Sequence, residues 1–145
     1  MYLVDTNILS TGAPGPRERP VAWERWMDAH SDELFLSAVT VAEVCEGIAK
    51  LKRTGADLRA RRLADWLEAV VHLYGDRILP FGLREARLAG MIMDRVRGTG
   101  GSPGFADLAI AATAASRDLT ILTRNVRHFA PLGARVVNPF EMVPG

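Results

Sequence analysis

Three acids stand at places in this chain where folding could bring them together. Asp5 directly follows the apolar run Tyr2-Leu3-Val4. Glu43 sits in the first turn of a helix expected after Leu34-Phe35-Leu36, and Asp107 in the first turn of an alanine-rich helix that begins at Phe105. Thr123-Arg124-Asn125 follows another apolar run, Thr120-Ile121-Leu122. Carboxylates crowded at one point repel, and at least one is pushed toward its protonated form. A hard divalent cation such as Mg²⁺ or Mn²⁺ removes that penalty and accepts oxygen ligands. His30, His72, His128 and Cys45 are scattered and form no zinc-type set. A bound cation can acidify and orient a water and stabilise charge developing on phosphorus, so the chemistry these residues suggest is metal-dependent phosphodiester hydrolysis.

Each residue also has a plainer local role. Thr40 and Glu43 have the spacing of a capping box, with Thr40 as N-cap. Asp107 could simply complement a helix dipole, worth about 0.3–1 kcal/mol. Asp5 could close an Asx-turn, and Asn125 could be a turn residue. His128 could meet a phosphate or be a loop histidine with no role.

The elements must decide. Short apolar runs at 2–4, 34–36, 77–79, 120–122 and 135–137 read as strands. Between them lie helical segments at 20–30, 41–53, 57–73, 83–97 and 105–116. In the 41–53 segment Val41, Val44, Cys45, Ile48 and Leu51 fall on one stripe, and Gly55 stops the helix. Strands that are continuously apolar and alternate with helices predict an α/β fold: a small parallel β-sheet flanked by helices on both faces. With right-handed crossovers, strand C-termini and helix N-termini share one edge of such a sheet, the edge where ligands bind. Asp5, Glu43, Asp107 and Asn125 are expected on that rim.

The chain has 145 residues, suiting one domain over 1–145. One cysteine excludes an intrachain disulfide and fits a reducing compartment. No apolar run of about 18 residues is present, and the first residues lack the features of a signal peptide, so a cytoplasmic protein with no membrane partner is expected. Residues 1–48 carry 8 acids and 3 bases, whereas residues 49–145 carry 9 acids and 15 bases. The densest basic run, Lys50, Lys52, Arg53, Arg59, Arg61 and Arg62, is either a solvated helix face or a rim that holds an anionic backbone in salt-sensitive fashion. Trp23, Trp26 and Trp66 could stack on bases or belong to the core.

Four segments, Tyr2-Leu3-Val4-Asp5-Thr6-Asn7, Ser37-Ala38-Val39-Thr40-Val41-Ala42-Glu43, Asp107-Leu108-Ala109-Ile110-Ala111-Ala112-Thr113-Ala114 and Leu122-Thr123-Arg124-Asn125-Val126-Arg127-His128-Phe129, together resemble the PIN-domain ribonucleases. The likeness is to the VapC toxins of bacterial toxin–antitoxin pairs, in the FitB-like branch, and it runs to Val137-Asn138-Pro139-Phe140. It implies a three-layer α/β sandwich that cleaves RNA with Mg²⁺ or Mn²⁺, leaving a 5′-phosphate and a 3′-hydroxyl. It implies Asp5 and Asp107 as the main metal carboxylates and Glu43 as the acid that completes the cluster. Thr6 and Asn7 would support Asp5, and Thr123 and Asn125 would orient water or a fourth ligand. It also implies a homodimer, for which the helix pair at 41–73 is the expected surface, and a VapB-type antitoxin through which alone operator DNA is bound. The chain departs from many relatives in carrying Asn125 and His128 where an acid is common. That departure raises an alternative, a PIN-like module that binds RNA or antitoxin without cutting. Other phosphoryl enzymes fit poorly: a receiver domain wants a second acid beside Asp5, where Val4 stands, and a dehalogenase-type phosphatase wants an acid at position 7, where Asn7 stands.

Overall fold

The structure, a computed structural model, describes residues 1–16 and 19–145. Five strands form one sheet: β1 (Tyr2–Val4), β2 (Leu34–Ser37), β3 (Ile78–Leu79), β4 (Thr120–Leu122) and β5 (Val136–Val137). Their order is β3-β2-β1-β4-β5, and every neighbouring pair is parallel. The first strand therefore lies at the centre, between β2 and β4. Seven α-helices accompany the sheet among the described residues: α1 (Thr6–Leu9), α2 (Val21–Ala29), α3 (Ala38–Arg53), α4 (Asp57–Tyr74), α5 (Leu83–Gly98), α6 (Phe105–Ser116) and α7 (Val126–Phe129).

Pleating sends alternate strand residues to opposite faces, and each face has its own core. Leu3 and Ile121 pack with Leu79 against α5 and α6, through Ile92, Val96, Leu108 and Ile110. Val4, Leu122, Leu34 and Leu36 pack against α1, α2 and α4, through Ile8, Trp23, Trp26 and Val70. The expected helices on both faces are thus present. Helix α6 is buried on nearly every side, from Leu108 to Ala114, which its run of alanines allows. A third, smaller cluster joins α3 to α4 through Val44, Ile48, Ala60 and Leu67. Trp23 and Trp26 stack 5.5 Å apart inside the second core, and Trp26 stacks on His30. Their burial removes these two indoles from any role as base-stacking platforms.

Several boundaries differ from those read in the sequence. Helix α3 begins at Ala38, directly after β2, because the Ser37 hydroxyl caps it by accepting the Val39 N–H at 3.0 Å. Thr40 is therefore an interior, fully buried residue and no cap, and Glu43 lies in the second turn, not the first. The capping glutamate of this fold is Glu85, whose carboxylate accepts the Gly82 N–H at the start of α5. Cys45 is exposed, off the buried stripe of Thr40, Val44 and Ile48. Two four-residue helices, α1 and α7, were not expected; they are too short for periodicity to reveal. Helices α5 and α6 run antiparallel, with Ser116 at the end of α6 donating to Glu85 in the first turn of α5. The connection from β3 to β4 is thus a helical hairpin, and within it α6 presents its N-terminus, with Asp107, toward Asp5 at the strand ends. No helix of the described residues is long and apolar enough to cross a membrane.

Candidate active site

The centre of the sheet builds the site. The Asp5 N–H donates to Leu122 O at 2.9 Å, extending the β1–β4 ladder by one residue. The chain then turns into α1 with Asp5 as N-cap: Oδ1 accepts the Thr6 N–H at 2.8 Å while the Asp5 carbonyl accepts from Ile8 and Leu9. The other carboxylate oxygen, Oδ2, accepts the Thr123 hydroxyl at 2.8 Å. Thr123 follows β4 and is completely buried. Its oxygen also accepts Asn7 Nδ2 at 3.3 Å and the Asn125 N–H at 2.9 Å. The Asn7 side-chain oxygen in turn accepts the Arg124 N–H at 3.2 Å. The ends of β1 and β4 are therefore stitched together by Asp5, Asn7 and Thr123.

The other acids enter from the flanking helices. Glu43 Oε1 on α3 accepts the Thr6 hydroxyl at 2.7 Å, so one residue, Thr6, touches both Asp5 and Glu43. Asp107, in the first turn of α6, places Oδ2 3.2 Å from His128 Nδ1 on α7. His128, left without an assigned role by its sequence, thus lies against one of the candidate acids; only the fold-back of α7 onto α6 brings them together. Asn125 is the N-cap residue of α7, with its backbone on Thr123 and its side chain exposed.

Asp5 is only 6% exposed. Burial pushes its pKa above the ordinary carboxylate value, the hydrogen bonds from Thr123 and Thr6 pull it back, and the negative charges of Glu43 and Asp107 push it up again. Glu43 and Asp107 are thus both within electrostatic reach of Asp5. Among the described residues, no three His, Cys, Asp or Glu side chains stand close enough together to enclose a metal ion. The basic residues from Lys50 to Arg62 are all exposed, at the end of α3 and the start of α4. Arg59 and Arg62 help line a groove of ≈ 680 Å³ between Pro14–Pro16 and the first turns of α4.

A parallel sheet with an acid at the end of its central strand, and two more acids on helices beside it, defines a class. The sequence profile of the PIN domain matches residues 2–132, and the chain belongs to that family. Within it the chain falls in the FitB-like branch. It is 36% identical to Toxin FitB of Neisseria gonorrhoeae over 144 residues, covering 97% of this chain and 99% of that protein. It is 34% identical to VapC ribonuclease Y4jK of Sinorhizobium fredii over 143 residues, again covering 97% and 99%. A solved structure of FitAB bound to an IR36 DNA fragment superposes with a TM-score of 0.76 at 31% identity, covering 97% of this chain and 96% of that one.

Proposed function

We propose that residues 1–145 act as a single PIN domain, the toxin of a type II toxin–antitoxin pair, and that this toxin is a cytoplasmic Mg²⁺-dependent endoribonuclease. Its products would be a 5′-phosphate and a 3′-hydroxyl. The observation that carries the reading is the buried Asp5 carboxylate, fixed by Thr6 and Thr123 and facing two more acids. Such a carboxylate gains most from a neighbouring cation, and an oxygen-only donor set suits Mg²⁺ or Mn²⁺. Because no three of these side chains stand close enough to wrap an ion, water and phosphate oxygens would complete the shell, which is the habit of Mg²⁺. When bound, the cation supplies an acidified water and neutralises charge on phosphorus. Asp5 and Asp107 are the residues to hold it. Thr123 and Thr6 fix the plane of the Asp5 carboxylate. Glu43 keeps Oε1 on Thr6, leaving Oε2 to take a proton from water. Asn125, at the exposed rim, orients water. The exposed cations from Lys50 to Arg62 hold the RNA backbone, with affinity falling as salt rises. The relatives' names and the DNA-bound FitAB structure favour a VapB-type antitoxin partner; we take the toxin to be a homodimer that meets operator DNA only through that antitoxin.

The test is cleavage of structured RNAs by the purified, antitoxin-free protein with Mg²⁺ and with Mn²⁺. Asp107→Asn should abolish cutting while circular dichroism stays native, since Asp107 is partly exposed and at the end of α6. Full cutting by Asp107→Asn would refute the site. Wild-type protein inert with both ions across diverse RNAs would favour the non-cleaving PIN-like module, which the exposed neutral amide of Asn125 motivates.

Glu43 gives a sharper division between local and catalytic roles. As an interior α3 residue it caps nothing, so Glu43→Ala loses one hydrogen bond from Thr6, worth about 0.5–1.5 kcal/mol, and regains part of it by relieving repulsion on Asp5. Urea denaturation should shift by less than about 1 kcal/mol while RNA cleavage falls roughly 10–100-fold. A large stability loss with full cleavage would show a structural role alone.

A further inference from the structure

The two aspartates of the candidate site are held very differently. Asp5 has a donor on each carboxylate oxygen, the Thr6 N–H on Oδ1 and the Thr123 hydroxyl on Oδ2. Asp107 sits in the first turn of α6 with its side chain 32% exposed. Among the described residues its carboxylate meets one polar partner, His128, whose Nδ1 lies 3.2 Å from Oδ2. Its other oxygen, Oδ1, is free. The direction in which Asp107 presents that oxygen therefore depends on His128.

The place of His128 is fixed from both sides. Before it, the Asn125 N–H donates to the Thr123 hydroxyl oxygen, and the His128 N–H donates to Asn125 O at 3.0 Å. After it, Phe129 is completely buried in the core that α6 shares. One segment, 123–129, thus supports both aspartates: Asp5 through Thr123 and Asp107 through His128. The His128 side chain is 59% exposed, and so open a pair adds little to stability. Its effect lies in orientation. A carboxylate with one oxygen engaged by a donor turns the other in a set direction, and partners of this kind are worth about 10–100-fold in metal affinity or activity. The hydrogen bond needs no charge on the ring, because the neutral tautomer with Nδ1–H also donates. An acid at this position would repel Asp107 instead.

We propose that His128 is a positioning residue of the candidate site: its Nδ1–H holds Asp107 Oδ2 and leaves Oδ1 to the cation. This rests on the reading of Asp107 as a metal carboxylate given above. Titration of the full-length, antitoxin-free protein with Mn²⁺ alone, followed through the paramagnetic signal of the free ion, tests it without any cleavage. His128→Ala should raise the Mn²⁺ dissociation constant about tenfold. His128→Asn puts an amide N–H at the reach of Nδ1 and should recover the wild-type constant. His128→Gln, whose amide falls where Nε2 was, should not. In an Asp107→Asn background His128→Ala should add nothing, because its effect passes through Asp107. RNA cleavage should follow the same order, and thermal melts should stay native-like. A wild-type Mn²⁺ constant in His128→Ala, no recovery in His128→Asn, or additive losses with Asp107→Asn would overturn the role of His128. Loss of cleavage in Asp107→Asn would then still leave the active-site reading intact. Wild-type protein that neither binds Mn²⁺ nor cuts RNA would remove the metal-site reading and the role of His128 with it.

Discussion

Asp5→Asn should end metal-dependent RNA cleavage while leaving the protein as stable as the wild type or more so. The first half follows from charge. If Asp5 holds a cation, as proposed, losing its carboxylate removes several kcal/mol of transition-state stabilisation, on the order of 10²–10³-fold in rate or more. The second half follows from burial. Folding raises the pKa of Asp5 above its ordinary value, chiefly by desolvation. The ionised form is therefore the one that folding disfavours. The contribution of Asp5 to stability is highest where Asp5 is protonated, falls as pH rises from the ordinary carboxylate range through the raised pKa, and stays lower above it. Asparagine carries no charge at any pH and escapes this loss. It also remains a good N-cap, so Oδ1 can still accept the Thr6 N–H. Chemical denaturation against pH should show the stability gap between Asp5→Asn and the wild type widening across that window, the other titrating groups being common to both. Divalent ions should raise the melting temperature of the wild type and not that of the variant. Unchanged cleavage by Asp5→Asn, or a variant that unfolds at neutral pH, would contradict this account.

Thr123→Val is expected to damage both stability and activity, for a different reason. Valine has nearly the same shape but no hydroxyl. Thr123 is completely buried, and its one oxygen serves Asp5, Asn7 and the Asn125 backbone. Removing it leaves the buried Asp5 carboxylate oxygen without its donor, at about 1–3 kcal/mol for a group stranded away from water. It also removes a hydrogen bond that holds the Asp5 pKa down, so the carboxylate drifts further toward its protonated form. Activity should fall roughly 10–100-fold, as for partners that orient a metal ligand. The profile of rate against pH should shift upward, a signature that loss of packing alone does not produce. Thr123→Ser keeps the hydroxyl and should restore the profile. A valine variant with wild-type stability and an unmoved profile would remove Thr123 from the support of Asp5.

Much of this arrangement was legible in the chain itself. The apolar runs ending at Val4 and Leu122, and the alanine-rich helix that begins at Phe105, were found at their observed positions. Asp5, Asp107 and Thr123 could be placed on the strand-end rim from them. The start of α3 was misread because Ser37 and Thr40 are both competent caps, and only the direct abutment of β2 on α3 selects Ser37. Cys45 was assigned to the buried stripe because its spacing permits it; how α4 and the sheet embrace α3 decides which edge of that stripe stays wet. The link between Asp107 and His128 had no local signal. It depends on a four-residue helix, and it joins positions that only the fold makes neighbours.

The placement of β1 also sets a timetable. Its two neighbours are β2, some thirty residues on, and β4, near the end of the chain. The Asp5–Thr123 hydrogen bond closes a separation of 118 residues. Contacts so distant along the chain form late and slowly. A nascent polypeptide still held by the ribosome with β4 inside the exit tunnel has β1 as an open margin and Asp5 bare. Under the proposed function the site is thus completed only once β4 has been made and has docked, and products that stop short of β4 should lack activity.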